Sequence, residues 1–213
     1  MALVKYNNNS ISDVTALASV PSGALTHIKT LTASDSSTLS FVNGSSDVVL
    51  DSTYPIYIFK FINVNPASGA SNPRFTFNGS DDTSSHSYDI TKTTSTLQSW
   101  HKEDDEDRDN YLFYNTTFDI AQGTGFQSLN FGDGNVDSDA CGSGELYLFD
   151  PSSTTFQKHF TANFDNCDSD PSAAHMLVAG YFNTTSAITA MQFKYSSGNI
   201  ESGTIKLYGI KDS

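Results

Sequence analysis

The sequence predicts an all-β fold, an antiparallel β-sandwich of the jelly-roll or Greek-key type with a short N-terminal arm. Short segments in which apolar and polar residues alternate recur along the 213-residue chain. Alternation with a period of two is typical of half-buried strands. The segments are separated by stretches rich in Ser, Asn, Asp and Gly, the residues of turns. About ten to twelve short strands without a long helical pattern pack most simply as two antiparallel sheets.

The strands follow one another without a linker that would divide the chain. Residues 1–25 are interpreted as an N-terminal arm or a first strand, and residues 26–213 as a single β-sandwich domain. In chain order the segments with strand character are 25–31, 38–42, 54–64, 74–78, 88–100, 111–118, 126–131, 145–149, 156–164, 176–182 and 188–195. Segment 54–64 is apolar on both faces, which predicts a central strand covered on both sides. Asn78-Gly79, followed by Ser-Asp-Asp, predicts a turn.

The alternation in residues 191–210 predicts a hairpin that closes the fold. Met191, Phe193 and Tyr195 point to one side of a strand, and Ile205 and Leu207 occupy the same kind of position after the connection at 196–199. Because the chain nearly ends there, we expect the final strand to lie inside the sheet.

The net charge and the cysteine content indicate which partners and which cellular compartment to expect. The formal net charge is −13, with 24 acidic and 11 basic residues, which argues against binding of nucleic acid or of an anionic membrane. No run of 18 apolar residues and no signal-peptide pattern is present, so we expect neither membrane insertion nor secretion. Cys141 and Cys167 are expected to be thiols, since disulfides accompany secretion, although a bridge between them stays open.

One Asp-rich loop imitates the start of a calcium site. Its oxygen-bearing residues occupy every second position: Asp133, Asn135, Asp137 and Asp139. Calcium prefers such hard oxygen ligands. However, Ser138 stands where a calcium loop needs glycine, and Gly144 stands where it needs a glutamate. A flexible loop without a metal is the alternative interpretation, and no other cofactor is expected.

The sequence gives no sign of catalytic chemistry. The five histidines have no metal-binding spacing, and no Gly-x-Ser-x-Gly motif is present. We therefore expect a protein that is not an enzyme. Trp100, the single tryptophan, lies beside the acidic loop 101–109 and is a candidate for stacking on a ligand ring. The alternative is that Trp100 is a core or interface residue.

Several segments together resemble a family of short β-rich virion proteins of tailed phages that infect marine bacteria, of the tail-fibre or capsid-decoration type. The similar segments are residues 1–10 (MALVKYNNNS), 57–66 (YIFKFINVNP), 143–160 (SGELYLFDPSSTTFQKHF), 178–188 (VAGYFNTTSAI) and the closing stretch up to Ile210. They span nearly the whole chain. Because they are strand and turn segments, they indicate an evolutionary relationship more than a particular function.

The resemblance implies a protein that is assembled in the host cytoplasm and displayed on the virion. Its implied partners are the major capsid or tail proteins, and its implied oligomeric state is a homotrimer. An arm with five apolar residues could dock on the particle: Leu3, Val4, Tyr6, Ile11 and Val14. An ordinary first strand is the equal alternative for these residues. A carbohydrate-binding or receptor-binding module at a fibre tip, which would contact a host surface glycan, is the second functional hypothesis.

Overall fold

Two antiparallel sheets pack against each other in the computed structural model, which describes residues 25–104, 112–131, 136–137, 139–168 and 172–211. The described strands are β1 (Leu25–Thr32), β2 (Leu39–Val42), β3 (Ile56–Pro66), β4 (Phe75–Ser80), β5 (Lys92–Lys102), β6 (Phe113–Tyr114), β7 (Gln127–Ser128), β8 (Gly142–Phe149), β9 (Lys158–Cys167), β10 (Ser172–Phe182), β11 (Ala190–Tyr195) and β12 (Ile200–Ile210). The predicted all-β sandwich is confirmed.

The larger sheet has eight strands in the order β1-β12-β3-β8-β9-β10-β5-β6, and the smaller has four in the order β2-β11-β4-β7. The chain crosses repeatedly between them, so that strands adjacent in sequence often lie in opposite sheets. The last strand, β12, is inserted between β1 and β3 and pairs with β3 through Leu207 and Phe59. This confirms the expectation that the final strand lies inside the sheet.

The predicted closing hairpin is wrong, although both of its strands exist. Strand β11 belongs to the smaller sheet and β12 to the larger one. Residues 196–199 therefore connect the two layers instead of turning within one. The apolar side chains of the two strands face the same core from opposite sides: Phe193 and Leu207 are both fully buried. An alternating pattern cannot distinguish a connection between two sheets from a hairpin within one sheet, because both arrangements bury every second residue.

Phenylalanine rings fill the space between the sheets. Phe61 of the larger sheet lies 5.2 Å, between ring centroids, from both Phe75 and Phe193 of the smaller sheet. Phe164 contacts Phe75 from β9 at 5.5 Å. Each such ring contributes roughly 1.5–3 kcal/mol through burial. A few large rings thus compensate for a hydrophobic content of only 37%.

The inward face of β5 is polar, and it contacts residues 115–127, which include the 3-10 helix and the start of β7. Thr94 Oγ1 donates to Gln127 Oε1 at 2.7 Å and accepts from the backbone N–H of Ile120 at 2.8 Å. The Lys92 ammonium donates to the carbonyl of Gly125 at 2.5 Å, and desolvation lowers the pKa of Lys92 to about 8. Hydrogen bonds thus attach residues 115–127 to the polar inward face of β5, which has no apolar side chains for them to pack against at Lys92 and Thr94.

Two local predictions differ from the structure. Asn78-Gly79 lies within β4 instead of a turn; Asn78 Nδ2 donates to the carbonyls of Tyr88 and Thr124 at 2.5 and 2.9 Å. Of the described residues in the predicted strand 111–118, only Phe113 and Tyr114 pair as a strand, and Thr116–Phe118 form a 3-10 helix. Asn115 caps that helix by accepting from the backbone N–H of Thr117 at 3.0 Å.

Candidate interaction surface

The outward face of the eight-stranded sheet carries a row of apolar side chains. Ile58 of β3 pairs with Tyr208 of β12 on one side and with Tyr147 of β8 on the other. Residues directly opposite in an antiparallel pair point to the same side of the sheet. Their sequence neighbours Phe59, Leu146 and Leu207 belong to the core. Ile58 and the two tyrosines therefore point away from the core.

A second row extends this surface to the edge of the sheet. Ile56 pairs with Phe149 and with Ile210, and Ile210 pairs with Leu25 of β1. We call the resulting surface the aromatic face and define it by residues Leu25, His27, Ile56, Ile58, Tyr147, Phe149, Tyr208 and Ile210. The four-stranded sheet packs on the opposite side of the eight-stranded sheet. Soluble proteins keep few contiguous apolar patches, so a surface of this kind is typical of an interaction site.

The rings of the aromatic face are arranged in two pairs. Tyr147 and Phe149 lie side by side with centroids 6.4 Å apart and ring planes 19° apart. His27 meets Tyr208 edge to face at 5.3 Å. Ile58, although outside the core cluster, is only 3% exposed between its two tyrosine neighbours, whereas Leu25 at the sheet edge is 47% exposed. The face is therefore packed at its centre and open at its edge.

Charged residues border the aromatic face along the next row of the sheet. The ammonium of Lys60 lies 2.7 Å from Glu145 Oε2, and Lys206 pairs with Lys60 in register. The hydrogen bond to Glu145 raises the pKa of Lys60. A half-exposed pair of this kind adds little stability. Its role at this place is to delimit the apolar surface with a polar rim, as in protein interfaces.

A separate groove of about 370 Å³ opens at the edge of the smaller sheet. Its walls combine aromatic rings, hydroxyl groups and one cation: Phe118, Phe126, Thr76, Ser128, Ser196 and Arg74. The guanidinium carbon of Arg74 lies 4.8 Å from the ring centroid of Phe118, and Lys194 Nζ lies 4.2 Å from that of Phe126. Such a mixture of stacking surfaces and polar groups suits a small polar ligand.

The groove wall carries one cation and one anion, Arg74 and Asp119. Arg74 forms no ion pair with any described carboxylate. Asp119, the acidic residue of the groove wall, is engaged by Thr96 Oγ1 at 3.0 Å and by the hydroxyl of Tyr114. The Arg74 guanidinium therefore remains available for an anionic group of a ligand, which it can bind with two parallel hydrogen bonds.

The structure places Trp100 at one end of the sandwich. It is partly buried on the inward side of β5 and packs against the core. Its ring centroid lies 5.0 Å from that of Phe113 and 5.7 Å from that of Phe131. Ligand stacking by Trp100 stays a prediction, and these contacts occupy part of its ring.

The other candidate residues are only partly described. Leu3, Val4, Tyr6, Ile11, Val14, Asp133 and Asn135 lie outside the described residues. The backbone carbonyl of Asp137 accepts from Asn65 Nδ2 at 3.2 Å and from the N–H of Ala140 at 3.1 Å. Among the described residues, no three His, Cys, Asp or Glu side chains cluster as a metal site. The calcium prediction therefore gains no support from Asp137 and Asp139.

Sequence reasoning missed both surfaces. Residues Tyr147 and Phe149 alternate with Leu146 and Leu148, so the outward positions of β8 are as apolar as the inward ones. That double apolar pattern was the available signal, and it also marks β3. The groove residues come from segments far apart in the sequence, and no local pattern indicates their proximity.

The fold and these surfaces define the chain as an antiparallel β-sandwich protein with a partly exposed aromatic sheet face and an open groove that contains Arg74. It matches no family model, and neither the curated proteins nor the solved structures include one similar to it. In the part of the chain that the structure describes, no helix has the length and hydrophobicity needed to span a lipid bilayer.

Proposed function

We propose that this chain is a non-enzymatic structural protein of a tailed phage, displayed on the particle as a capsid decoration or a tail-fibre subunit and attached through the aromatic face. The observation that carries the proposal is the aromatic face itself, an apolar surface with a charged rim on an otherwise acidic, polar protein. The resemblance of the sequence to phage virion proteins supplies the kind of particle and favours a homotrimer.

Physical chemistry explains why such a surface suits attachment. Docking removes partly exposed rings such as Tyr147 and Phe149 from water, and buried aromatic side chains dominate interface energetics. The rest of the surface carries the net negative charge, which keeps displayed copies soluble and apart. The rim pair Lys60–Glu145 favours one orientation of the partner more than it adds affinity.

The test uses the phage whose genome encodes this chain, with the gene deleted and supplied in trans. Purified particles are analysed by quantitative mass spectrometry and cryo-electron microscopy. We expect the wild-type chain in the particles, and at least a tenfold loss for the double variant Tyr147→Ser/Phe149→Ser. Asn163→Ala, on the outward side of the neighbouring strand β9, is the matched control. Absence of the wild-type chain from purified particles would overturn the proposal.

Two further measurements test the homotrimer and the role of the N-terminal arm separately. Native mass spectrometry of the purified chain reports whether it is a trimer. A truncation that removes residues 1–15 reports whether the arm is needed, since normal incorporation of the truncated chain assigns attachment to the aromatic face alone.

The groove favours a second candidate function, the binding of an acidic saccharide of the host surface. Phe126 and Phe118 offer faces for a sugar ring, and Arg74 offers a guanidinium for a carboxylate or sulfate. A glycan array tests this directly. We expect binding of acidic glycans that is lost in Arg74→Ala and Phe126→Ala. Loss in Trp100→Ala instead would assign binding to Trp100, and no binding by the wild type would reject this function.

A further inference from the structure

The two cysteines of the chain face each other across the β8–β9 pair. Cys141 directly precedes β8, and Cys167 is the last residue of β9. The ladder pairs Gly142 with Asn166, which makes Cys141 and Cys167 the next opposite pair. The backbone N–H of Cys167 donates to the carbonyl of Cys141 at 3.4 Å, so the chains are still paired at this position. Opposite residues of such a pair project to the same side of the sheet.

The Cα separation of such a pair lies within the range that disulfides span. Residues that face each other in a hydrogen-bonded antiparallel pair have Cα atoms about 5.5 Å apart. Disulfides usually join residues whose Cα atoms are roughly 4.4–6.8 Å apart. Both side chains are partly exposed, and both line one small cavity of about 10 Å³.

Each thiol makes one long hydrogen bond to a neighbouring oxygen. Cys141 Sγ lies 3.8 Å from Asn63 Oδ1, and Cys167 Sγ lies 3.6 Å from the carbonyl of Asp168. Thiols are poor hydrogen-bond donors, so these two contacts hold the sulfur atoms only weakly. The residues therefore stand in position for a bond that the reduced protein does not contain.

We propose that Cys141 and Cys167 form an intramolecular disulfide when the protein meets a small-molecule disulfide as oxidant. The thiolate of one cysteine attacks the oxidant, forms a mixed disulfide and releases one small thiol. The second thiolate then attacks the protein sulfur of that mixed disulfide and releases the second small thiol. The two cysteines lose two protons and two electrons in total, and the oxidant is reduced to two thiols.

The disulfide clamps the open end of the β8–β9 pair, opposite to the loop that connects the two strands. It restricts the unfolded chain between residues 141 and 167, which stabilises the folded state in the loop-entropy account of disulfides. A chain made in a reducing cell would thus gain stability after exposure to an oxidising medium. This inference does not depend on the proposed function.

The experiment treats the purified full-length chain with oxidised glutathione and analyses it without reductant. We expect intact-mass spectrometry to show the loss of two hydrogens with no glutathione adduct, and electrophoresis to show monomers. The Tm should rise by an amount on the order of 5–10 °C and return on addition of dithiothreitol.

Serine variants show whether each thiol can react with the oxidant and whether the change in Tm requires both cysteines. Cys141→Ser and Cys167→Ser should each carry one glutathione adduct after oxidation, which shows that the remaining thiol is reachable, and neither should gain in Tm. The double serine variant should match the reduced wild-type protein in Tm. Adducts on both cysteines of the wild type, covalent dimers, or a bridge that lowers the Tm would each overturn the proposal.

Discussion

The hydroxyl group of Tyr57 holds the backbone of Asp51 from both sides. It donates to the carbonyl oxygen of Asp51 at 2.8 Å and accepts from the N–H of the same residue at 3.0 Å. Tyr57 is fully buried in β3, at the centre of the larger sheet. This pair of hydrogen bonds therefore fastens the loop before β3 to the core.

Removing this hydroxyl should destabilise the protein. In Tyr57→Phe both backbone groups of Asp51 lose their partner while the ring stays in place, so the free energy of unfolding should fall by about 1–3 kcal/mol. Urea unfolding followed by fluorescence measures the change. Tyr181→Phe, on the outward side of β10, is the control and should change the value by less than about 0.5 kcal/mol. Equal stabilities of the two variants would contradict the role of Tyr57.

Alkaline titration should show the cost of burying Lys92. Its pKa is lowered from 10.5 to about 8 by desolvation, so the unfolded chain binds more protons between these values. Stability therefore rises as the pH increases from about 8 towards 10.5, by about 2–3 kcal/mol for this residue. Lys92→Met should abolish this rise in urea unfolding measured at successive pH values. An unchanged pH profile in Lys92→Met would show that Lys92 is not the responsible group.

Above about pH 10, the buried tyrosines should make the free energy of unfolding fall again. Desolvation raises the pKa of Tyr57 from 10.0 to about 12, and burial also raises the pKa of Tyr195. The stability that their neutral forms provide is complete below pH 10 and is lost as the pH rises towards 12. The unfolding free energy should thus pass through a maximum near pH 10. Absorbance at 295 nm, which follows tyrosine ionisation, should show these residues ionising together with unfolding.

The close approach of β8 and β9 predicts a site where even a methyl group is not tolerated. A Cβ atom at Gly144 would overlap the carbonyl oxygen of Asn163 and lie 2.8 Å from Phe164 Cα. Because backbone atoms cannot move aside, Gly144→Ala should lower the free energy of unfolding by about 1–3 kcal/mol. Gly125→Ala is the matched control, since no atom lies within 4 Å of its Cβ position. Comparable guanidinium chloride midpoints would contradict this packing argument.

The fold class could be predicted because nearly every strand alternates. Strands β9 and β10 bury every second residue along most of their length, as the sequence pattern requires. The pairing of strands could not be predicted in the same way: β11 and β12 have the pattern of a hairpin and yet lie in different sheets. Local signals describe which residues are buried, whereas the choice of partner strand depends on the whole core.

One local signal was overridden by tertiary contacts. Asn78-Gly79 is a strong turn signal, but its strand is extended because Gly79 leaves room for Phe182 and Met191 and Asn78 is held by distant carbonyls. The aromatic face was missed for the opposite reason. Outward-pointing Tyr147 and Tyr208 look like core residues in the sequence, and only the sheet register shows that they lie together on the solvent side.

The carboxylate of Asp82 organises the loop after β4. Its Oδ1 accepts from the backbone N–H groups of Ser85 and His86 at 2.7 and 2.6 Å, and its Oδ2 accepts from that of Ser87 at 2.8 Å. These backbone hydrogen bonds, that of Ser87 foremost, hold the pKa of Asp82 well below its usual range. The contribution of this carboxylate is therefore complete above the ordinary pKa of 3.8 and is lost as the pH falls below it.

Asp82→Asn should loosen this loop with little effect on the core. The amide keeps one acceptor oxygen and turns the other position into a donor, so at least one of the N–H groups at 85–87 loses its partner. We expect amide hydrogen exchange of residues 84–87 to accelerate at least tenfold, while exchange in β10 stays unchanged because the loop opens without global unfolding. Asp165→Asn, on the exposed side of β9, should leave both unchanged. Acceleration spread evenly over loop and core would mean that Asp82 stabilises the whole sandwich rather than the loop.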